Sequence, residues 1–513
     1  MKRILCFLLC VCLFLSLLAG CKNDNGAYIP TGDALTGEDG VTPQAPQATD
    51  TSQELSLTFY PKESLNPYIC QDFTNRALFG LLYQGLFALD RNYNLEPMLC
   101  KEYSCSQDMK TYVFYMEKAT FPDGSVISDT DVAASLLAAK DNPVYSSRFA
   151  HVEEISVLPE GGVQITLSTP MEQLPLLLDI PILRADQVAA DRPVGTGPYY
   201  LDETGTAPVL RRRENWWCSA QMPVTANAIA LKTATSNSQI RDLFEFENLS
   251  LVCADPGSDK YADFRCDYEL WDCENSIFLY LACNLNSEVF ADPTVRSTLP
   301  GTVDRDSIVD SFYRGFARST TLPAVPQSQY YNAALAAKYG YDSGNALKTA
   351  VANAEMTGKS IVFLTNSDDT LRLRVAKSII STFTDAGLSV TLSALPTDQY
   401  ITALENGDYD LYLGQTKLSP NMDLSAFFST MGAMNYGSFA DPNLYAMSLE
   451  ALANYGNFYT LYQSLMNDGR LVPILVRSYA LYANRGAFTT LTPARDNIFY
   501  YSLGKSMEKA KIQ

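Results

Sequence analysis

An alternation of strands and helices toward the carboxyl end constrains the fold of this chain more than any other feature of its sequence. The spacing of apolar residues predicts, in order, a strand at 361–364, a helix at 371–383, a strand at 388–392, a helix at 398–405 and a strand at 408–413. A βαβαβ order of this kind builds a parallel sheet with helices packed on it. Because open sheets bind ligands beyond the carboxyl ends of their strands, the segment 414–423 is a candidate part of a ligand crevice.

A second group of elements is predicted earlier in the chain. Residues 110–118 alternate with the period-two pattern of a strand, and a turn follows at 121–124. Ser128 and Asp131 suit the N-cap and N3 positions of a helix that runs to about Lys140. With 513 residues, 47% of them hydrophobic, the chain can form two to four packed lobes.

The amino terminus has the pattern of a bacterial export signal. Two basic residues precede an apolar run from Ile4 to Leu18, and Ala-Gly-Cys follows, with the cysteine at position 21. The sequence Leu-Ala-Gly-Cys resembles the lipobox, whose cysteine is acylated and becomes the first mature residue. We expect a signal peptide at 1–20 and a lipid on Cys21 that anchors the protein on the outer face of the cell membrane. An uncleaved transmembrane anchor is the alternative.

The stretch after the signal is rich in Gly, Thr, Pro, Gln, Asp and Ala and offers almost nothing to bury. Residues 21–53 are therefore expected to be the lipidated cysteine and a flexible tether, with the folded part beginning near Glu54. No later apolar stretch of the sequence has the length that a bilayer span requires. The lipid on Cys21 is thus the expected contact with the membrane.

The composition limits both the partners and the chemistry of the chain. Its 38 Lys and Arg stand against 57 Asp and Glu, a formal net charge of -19 that would repel nucleic acid. His151 is the only histidine, which excludes a zinc site built on several imidazoles and leaves little basis for histidine catalysis. No Gly-x-Ser-x-Gly motif occurs. We expect no enzyme activity, no cofactor, no metal site and no nucleic-acid partner.

The cysteines predict local disulfides. Eight would remain after signal cleavage and acylation of Cys21: Cys70, Cys100, Cys105, Cys218, Cys253, Cys266, Cys273 and Cys283. An even number in an exported protein permits up to four bridges. Close spacing favours Cys100 with Cys105 and Cys266 with Cys273, and free thiols are the alternative. A metal cluster is disfavoured because these residues contain no Cys-x-x-Cys pair.

Short motifs recur along the chain in the order and spacing of one protein family. They are Leu65-Asn66-Pro67, the stretch 81–87, Asp108 with Tyr112 and Phe114, Phe121-Pro122-Asp123-Gly124, Val194-Gly195-Thr196-Gly197-Pro198-Tyr199, Arg213-Glu214-Asn215-Trp216-Trp217, Asp292-Pro293 with Val295-Arg296, Asp304-Arg305 and Tyr409-Asp410-Leu411. Each motif is weak alone, but the ordered set covers almost all of residues 54–505. The set resembles the bacterial extracellular solute-binding proteins of the peptide and nickel class, family 5 type, which serve ABC importers.

Two of these motifs are interpreted as structural. Gly195 and Gly197 before Pro198 predict a tight turn without a ligand, since the third glycine of a dinucleotide site is missing. Trp216 and Trp217 are predicted to be aromatic residues of the core or of the interface between lobes, with lining of the cleft as the alternative.

The resemblance implies an α/β fold of the periplasmic-binding-protein type. Such a molecule is a two-lobed clamshell (type II, cluster C) with an extra inserted domain, and it closes over a solute without a covalent step. Domain I would be discontinuous, at 54–87, 194–284 and 475–513. Domain II would be inserted at 88–193, and domain III would run from 285 to 474. The implied partners are a small solute or peptide and the permease subunits of an ABC transporter, and we expect a monomer.

The resemblance also suggests where the ligand lies. In peptide-binding relatives the segment after Leu-x-Pro pairs with an extended peptide, and the matching residues here are Gln71, Asp72 and Phe73. A tyrosine-containing loop of the inserted domain faces the cleft in relatives, which makes Tyr145 and Arg148 candidates. A position on a surface loop is the alternative for each of these residues.

The loop after the last predicted strand departs from the family pattern. Peptide-binding relatives carry Gly-Trp-x-x-Asp there, and the aspartate pairs with the amino group of the peptide. Residues 414–418 read Gly-Gln-Thr-Lys-Leu instead. Asp423 is a candidate substitute, with N-capping of the following helix as the alternative. Asn435 and Tyr436, on a Gly-rich loop, complete the predicted site.

An oligopeptide is the first expectation for the ligand, and the departure at 414–418 argues against one with a charged amino terminus. A sugar, an opine, a modified peptide or a metal chelate stays open. A surface receptor for a signalling peptide would have the same fold without transport. A secreted hydrolase is the remaining hypothesis, and the sequence distinguishes no pair of acidic residues as catalytic.

Overall fold

The computed structural model describes residues 55–499 apart from 223, 225, 248, 257–263, 489 and 490. The expected signal peptide at 1–20 and the expected tether at 21–53, with Cys21, lie outside the described residues. Within the described part, no helix combines the length and the hydrophobicity that a membrane crossing requires.

The described residues form strands and helices in an interleaved order. The strands are β1 (Leu55–Phe59), β2 (Phe87–Leu89), β3 (Leu95–Pro97), β4 (Cys100–Cys105), β5 (Thr111–Met116), β6 (Val152–Val157), β7 (Val163–Leu167), β8 (Tyr199–Asp202), β9 (Val209–Arg212), β10 (Ala228–Thr233), β11 (Leu251–Ala254), β12 (Tyr268–Cys283), β13 (Ala317–Ser319), β14 (Ser360–Asn366), β15 (Ser389–Leu395), β16 (Leu411–Lys417) and β17 (Leu471–Asn484). The α-helices are α1 (Phe73–Arg76), α2 (Phe79–Leu82), α3 (Asp129–Lys140), α4 (Asn237–Phe246), α5 (Pro293–Arg296), α6 (Arg305–Phe312), α7 (Ala333–Ala336), α8 (Asn345–Asn353), α9 (Thr370–Asp385), α10 (Thr397–Asn406), α11 (Ser425–Phe428), α12 (Pro442–Ala453) and α13 (Phe458–Asp468).

An eleven-stranded sheet forms the frame of the molecule. Its strands lie in the order β15-β14-β16-β12-β17-β11-β1-β10-β9-β8, and β13 pairs with β17 beside this row. The long strands β12 and β17 run antiparallel at the centre, with a register shift between Glu274 and Phe278. The second half of β12 pairs with β16, and the second half of β17 pairs with β11. These two strands therefore connect the two halves of the sheet.

The predicted βαβαβ unit is confirmed. It consists of β14, α9, β15, α10 and β16, and β14 pairs in parallel with both β15 and β16. Asp369 caps α9 by accepting a hydrogen bond from the backbone N of Arg372. Gly387 follows the helix with a φ of 96°, which a glycine adopts without the steric cost of a side chain. Because β16 ends at Lys417, the next residues leave the carboxyl edge of the parallel strands.

A separate four-stranded antiparallel sheet has the order β4-β5-β7-β6 and carries helix α3. The predicted N-cap and N3 positions of Ser128 and Asp131 in α3 are confirmed. The two residues form a capping box, since Ser128 Oγ accepts from Asp131 N at 3.3 Å and Asp131 Oδ2 accepts from Ser128 N at 2.8 Å. The second carboxylate oxygen of Asp131 accepts from Ala185 N at 2.8 Å. This contact ties the helix to the chain that leaves the small sheet.

The expected local disulfides are wrong, because all eight cysteines among the described residues are free. Cys100 and Cys105 stand at the two ends of strand β4. An extended chain rises about 3.3 Å per residue, so these Cα atoms are about 16 Å apart. A disulfide requires a Cα separation below about 7 Å. Cys266 and Cys273 fail for the same reason, since Tyr268 to Cys273 is also strand.

The small sheet packs against the segment 423–455. Glu172 N donates to the carbonyl oxygen of Leu452 at 2.9 Å, and Glu172 Oε2 accepts from Tyr455 N at 3.0 Å. One buried apolar core includes both Ile165 of the small sheet and Leu452 of α12. A second core lies wholly within residues 279–475 and surrounds the βαβαβ unit. The segment after β7 is therefore joined to α12 by one backbone hydrogen bond, to Tyr455 just beyond α12 by a side-chain hydrogen bond, and the small sheet shares its apolar core with α12.

Candidate functional site

A cavity of about 400 Å³ lies where separate parts of the chain meet. Helices α1 and α2, the loop at 144–148, the residues at the end of β16 and the segment 494–499 all contribute to its wall. These segments are far apart in the sequence. The cavity therefore exists only in the folded chain, and its volume falls within the range of about 300–1,000 Å³ that small-molecule sites occupy.

Helix α1 brings a positive charge to the wall. Asp72 caps the helix by accepting from Asn75 N at 2.9 Å, and the Asn75 side chain accepts from Tyr60 N at 2.9 Å and donates to Tyr60 O at 3.0 Å. The helix is thereby fixed to the end of β1. Arg76, in the last turn, lines the cavity. Among the described residues, its side chain has no hydrogen-bond or ion-pair partner.

The loop after α3 adds an aromatic ring and a second guanidinium. Tyr145 packs edge-on against Tyr68 with the ring centroids 5.8 Å apart, and the Arg148 guanidinium carbon lies 5.3 Å from the Tyr145 ring centroid. Arg148 pairs with Asp179. The other oxygen of Asp179 accepts from Arg495 Nη1 at 2.6 Å. Two guanidinium groups therefore share one carboxylate.

These three charged side chains have little contact with water. The exposed fractions are 9% for Arg148, 14% for Asp179 and 3% for Arg495. Burial alone would raise the pKa of Asp179, but the two arginines outweigh it, and the pKa lies below its usual value. Burial is also the largest influence on Arg148 and lowers its pKa. The carboxylate of Asp179 is therefore ionised at neutral pH.

The end of β16 supplies a further cation. Lys417 pairs with Asp496, and its side chain is 34% exposed where it lines the cavity. Loss of water contact lowers the pKa of Lys417 more than Asp496 raises it. Arg495 and Asp496 have φ values of 22° and 65°, which residues other than glycine rarely adopt. Both residues also form ion pairs, Arg495 with Asp179 and Asp496 with Lys417.

Aromatic side chains form much of the remaining wall. Phe73 packs on Tyr479 with the ring centroids 4.4 Å apart. Trp216 lines the cavity and donates from Nε1 to the carbonyl oxygen of Thr196 at 2.9 Å. Since Trp216 is only 3% exposed, it is both a core residue and part of the wall. Trp217 donates to Gln84 Oε1, another wall residue, at 2.8 Å.

The structure brings three of the sequence-predicted site residues to this cavity, namely Phe73, Tyr145 and Arg148. Gln71 is exposed, and its side-chain amide donates to Ile69 O at 3.5 Å. Asp72 acts as the cap of α1. Neither Gln71 nor Asp72 is among the lining residues.

The other three predicted residues lie away from the lining. Asp423 is buried, with Oδ2 3.1 Å from His151 Nε2 and Oδ1 accepting from Ser425 N at 2.8 Å. Burial would raise the pKa of Asp423, and the contacts with His151 and Ser425 lower it instead. Asn435 accepts from Ala440 N at 2.8 Å and so shapes its own loop. The ring of Tyr436 lies 6.3 Å from that of Tyr412.

Several wall residues were missed at the level of sequence. Lys417 lies within the segment 414–423 that the sheet topology indicated, but nothing distinguished it from other exposed lysines. Arg76 lies three residues after Phe73, the last residue of the predicted triplet 71–73. Phe73 and Arg76 belong to the same short helix, α1. Asp179, Arg495 and Asp496 carried no sequence signal, because their importance comes from contacts with residues that are distant in the sequence, 316 positions for Asp179 with Arg495 and 79 for Asp496 with Lys417.

The chain matches a known family over much of its length. Residues 94–438 match the family described as "Bacterial extracellular solute-binding proteins, family 5 Middle". Among curated proteins, the glutathione-binding protein GsiB of Escherichia coli (strain K12) is 25% identical over 291 residues, which cover 52% of this chain and 55% of GsiB. The match thus spans about half the length of such curated relatives.

Solved structures share the fold at low sequence identity. The ABC transporter substrate-binding protein CtaP from Listeria monocytogenes has a TM-score of 0.69 at 17% identity, covering 88% of this chain and 98% of CtaP. AgaA from A. tumefaciens R10, solved with agropinic acid, has a TM-score of 0.60 at 20% identity, covering 89% of this chain and 99% of AgaA. These similarities confirm the predicted two-lobed α/β fold. Together with the family match across residues 94–438, they establish that the chain belongs to the bacterial extracellular solute-binding proteins of family 5.

Proposed function

We propose that this chain is the solute-binding component of an ABC importer and that the cavity holds the solute. The observation that carries the proposal is the cavity of about 400 Å³, whose wall combines aromatic rings with charged side chains from distant parts of the chain. Apolar walls with a few converging polar groups are typical of small-molecule sites. The proposed role is binding without catalysis, with permease subunits of the importer as partners.

The proposed domains explain how such a site would open and close. We assign domain I to 54–87, 194–284 and 475–513, domain II to 88–193 and domain III to 285–474. The wall then draws Arg76 from domain I, Tyr145 and Arg148 from domain II, and Lys417 from domain III. Movement of domain III would open the cavity, and a solute would favour the closed form through the contacts it makes only there.

We propose an oligopeptide as the solute. GsiB is named for the binding of glutathione, and AgaA was solved with agropinic acid, so a non-peptide solute such as an opine, a sugar or a metal chelate is the alternative. A receptor that binds a signalling peptide without transport would use the same cavity. Hydrolase activity is the least supported hypothesis.

The location of the protein also belongs to the proposal. The lipobox-like sequence that ends at Cys21 supports a lipid anchor on the extracytoplasmic face of the membrane. The composition of residues 22–53 supports a tether that lets the folded part reach the permease. We expect the anchored protein to act as a monomer.

A binding screen on the full chain, purified in detergent, tests the proposed function. The panel contains peptides of two to five residues, sugars, opines and metal chelates. A solute that binds only the folded state stabilises it by about 2.7 kcal/mol at one hundred times its dissociation constant. We expect at least one panel member to raise the melting temperature, and isothermal titration calorimetry to give its dissociation constant.

Two variants locate the binding. Ala77 lines the cavity and Ala334 is exposed on α7, so Ala77→Trp fills the site and Ala334→Trp is a matched control. We expect Ala77→Trp to abolish binding and Ala334→Trp to bind as the wild type does. If no panel member stabilised the wild type, or if Ala77→Trp kept full affinity, the proposed function of this cavity would be wrong.

A further inference from the structure

The charged residues of the cavity wall do not balance. Among the described residues of the wall, the cations are Arg76, Arg148, Lys417 and Arg495, and the carboxylates are Asp179 and Asp496. Arg148 and Arg495 share Asp179, and Lys417 pairs with Asp496. A surplus of positive charge is therefore concentrated in the wall of a chain whose formal net charge is -19.

One further carboxylate lies behind the wall. Glu274 is buried, accepts from Tyr93 OH at 2.7 Å, and acts electrostatically on Arg495. Glu274 does not line the cavity. Even with Glu274 included, the four cations outnumber the carboxylates around the cavity, so the surplus is reduced and not removed.

Arg76 is the cation that lacks a carboxylate of its own. Asp496 acts on it electrostatically, but Asp496 already pairs with Lys417. Taking a guanidinium out of water without a partner is unfavourable, and an anion at hydrogen-bond distance offsets that cost. The planar fork of Arg76 suits a carboxylate or a phosphate, either of which can accept two parallel hydrogen bonds.

Two more wall residues hold donors without partners. Gln84 and Arg495 are both buried. Within the described part of the chain, Gln84 Nε2 and Arg495 Nε make no hydrogen bond. Both atoms are donors, and buried donors in folded proteins are normally satisfied. Neither atom is accessible from the cavity, so both add to the unbalanced donors behind the wall, while the carboxylates of Asp179 and Asp496 are already engaged.

We propose that the solute carries an oxyanion group, a carboxylate or a phosphate, that Arg76 binds in this cavity; the proposal rests on the solute-binding function proposed above. Residues 414–418 contain no carboxylate, and Lys417 of that stretch lines the cavity. The positively charged wall thus binds the solute through its anionic group.

Calorimetric titration of the full chain in detergent tests the oxyanion with two matched pairs of probes. The first pair is the tripeptide Ala-Phe-Glu and its fully amidated form Ala-Phe-Gln-amide. The second is glucose 6-phosphate and glucose. We expect the anionic member of at least one pair to bind about tenfold or more tightly than its neutral partner. Comparison of the two pairs shows whether the oxyanion comes from a carboxylate or a phosphate.

Three variants assign the preference to Arg76. Arg76→Gln should remove the tenfold preference, and Arg76→Lys should keep part of it because the charge is retained. Arg241 is exposed on α4, away from the cavity wall, so Arg241→Gln is a matched control that should keep the full preference. Retention of the preference in Arg76→Gln would overturn the assignment of Arg76.

The outcomes separate this inference from the proposed function. Equal binding of charged and neutral members, or no binding of either anionic probe at millimolar concentration, would overturn the oxyanion assignment. Stabilisation of the same protein by a neutral or cationic member of the wider panel would then leave the solute-binding function intact. Failure of every panel member would instead count against the function itself.

Discussion

At the scale of single residues, the cavity wall depends on the shared carboxylate of Asp179. It bridges Arg148 of the loop after α3 and Arg495 of the segment 494–499. A buried ion pair is a weak source of stability overall, because desolvation offsets much of the attraction. Removal of one partner is nevertheless costly, since the other charges then stay buried without compensation. Asp179 therefore holds together two parts of the wall that no backbone element connects.

Replacement of Asp179 tests this arrangement. We expect Asp179→Asn to lower the free energy of unfolding by about 3–5 kcal/mol, because two buried guanidinium groups lose their counter-charge. Asp123, which pairs with Arg184 and is 52% exposed, offers the control, and Asp123→Asn should leave the free energy of unfolding nearly unchanged because solvent screens this pair. Urea denaturation at neutral pH measures both. A loss for Asp179→Asn no larger than for Asp123→Asn would contradict the shared-carboxylate interpretation.

The same variant predicts a pH dependence. The pKa of Asp179 is lowered in the folded state, so its contribution to stability is complete above the unfolded pKa of about 3.9 and is lost as the pH falls further. The difference in unfolding free energy between wild type and Asp179→Asn should stay constant from about pH 7 to 5 and shrink below about pH 4. Denaturation curves across that range measure it.

At the scale of elements, the loop at 195–197 packs directly on helix α2. A Cβ atom on Gly197 would lie 2.5 Å from Leu81 O, and one on Gly195 would lie 2.4 Å from Leu82 O. Neither glycine has a positive φ. The predicted tight turn is thus not the reason for glycine here. The reason is the close approach of two backbones, which positions α2 and Trp216 along the cavity wall.

Replacement of Gly197 tests this close approach. We expect Gly197→Ala to lower the free energy of unfolding by about 2 kcal/mol, because the new methyl group must displace the backbone of α2. Gly205→Ala is the control, since the nearest atom to a Cβ there is 3.8 Å away. Thermal unfolding compares the two. Equal melting temperatures for both variants would show that α2 can move away from residue 197 without loss of stability.

At the scale of the whole molecule, the only histidine of the chain joins two regions that are proposed to move apart. His151 Nε2 lies 3.1 Å from Asp423 Oδ2 and 3.2 Å from Ser425 Oγ. His151 belongs to the proposed domain II and Asp423 to the proposed domain III. If the domains separate when the cavity opens, this contact exists only in the closed form. Its free energy then adds to the affinity for the solute.

Removal of this contact should weaken solute binding without touching the cavity wall. We expect His151→Ala to raise the dissociation constant about 5- to 30-fold, which corresponds to about 1–2 kcal/mol of lost closed-state contact. Glu153, exposed on β6, gives the control variant Glu153→Ala. Calorimetry with the tightest panel solute measures affinity, and small-angle scattering reports closure. Wild-type affinity in His151→Ala would mean that the contact does not depend on closure.

The sequence by itself determined the local elements and the family. The βαβαβ unit and the N-cap of α3 could be predicted because apolar periodicity and capping act over a few residues. The ordered motifs indicated the family. Only the tertiary structure decided which charges share the cavity wall. The separation of Cys100 and Cys105 follows from one extended strand, β4, which was not predicted from the sequence. Asp179 and Arg495, in contrast, are 316 residues apart in the sequence, yet their side-chain atoms lie 2.6 Å apart. Distances of this kind depend on how whole elements pack, which no local pattern of residues records.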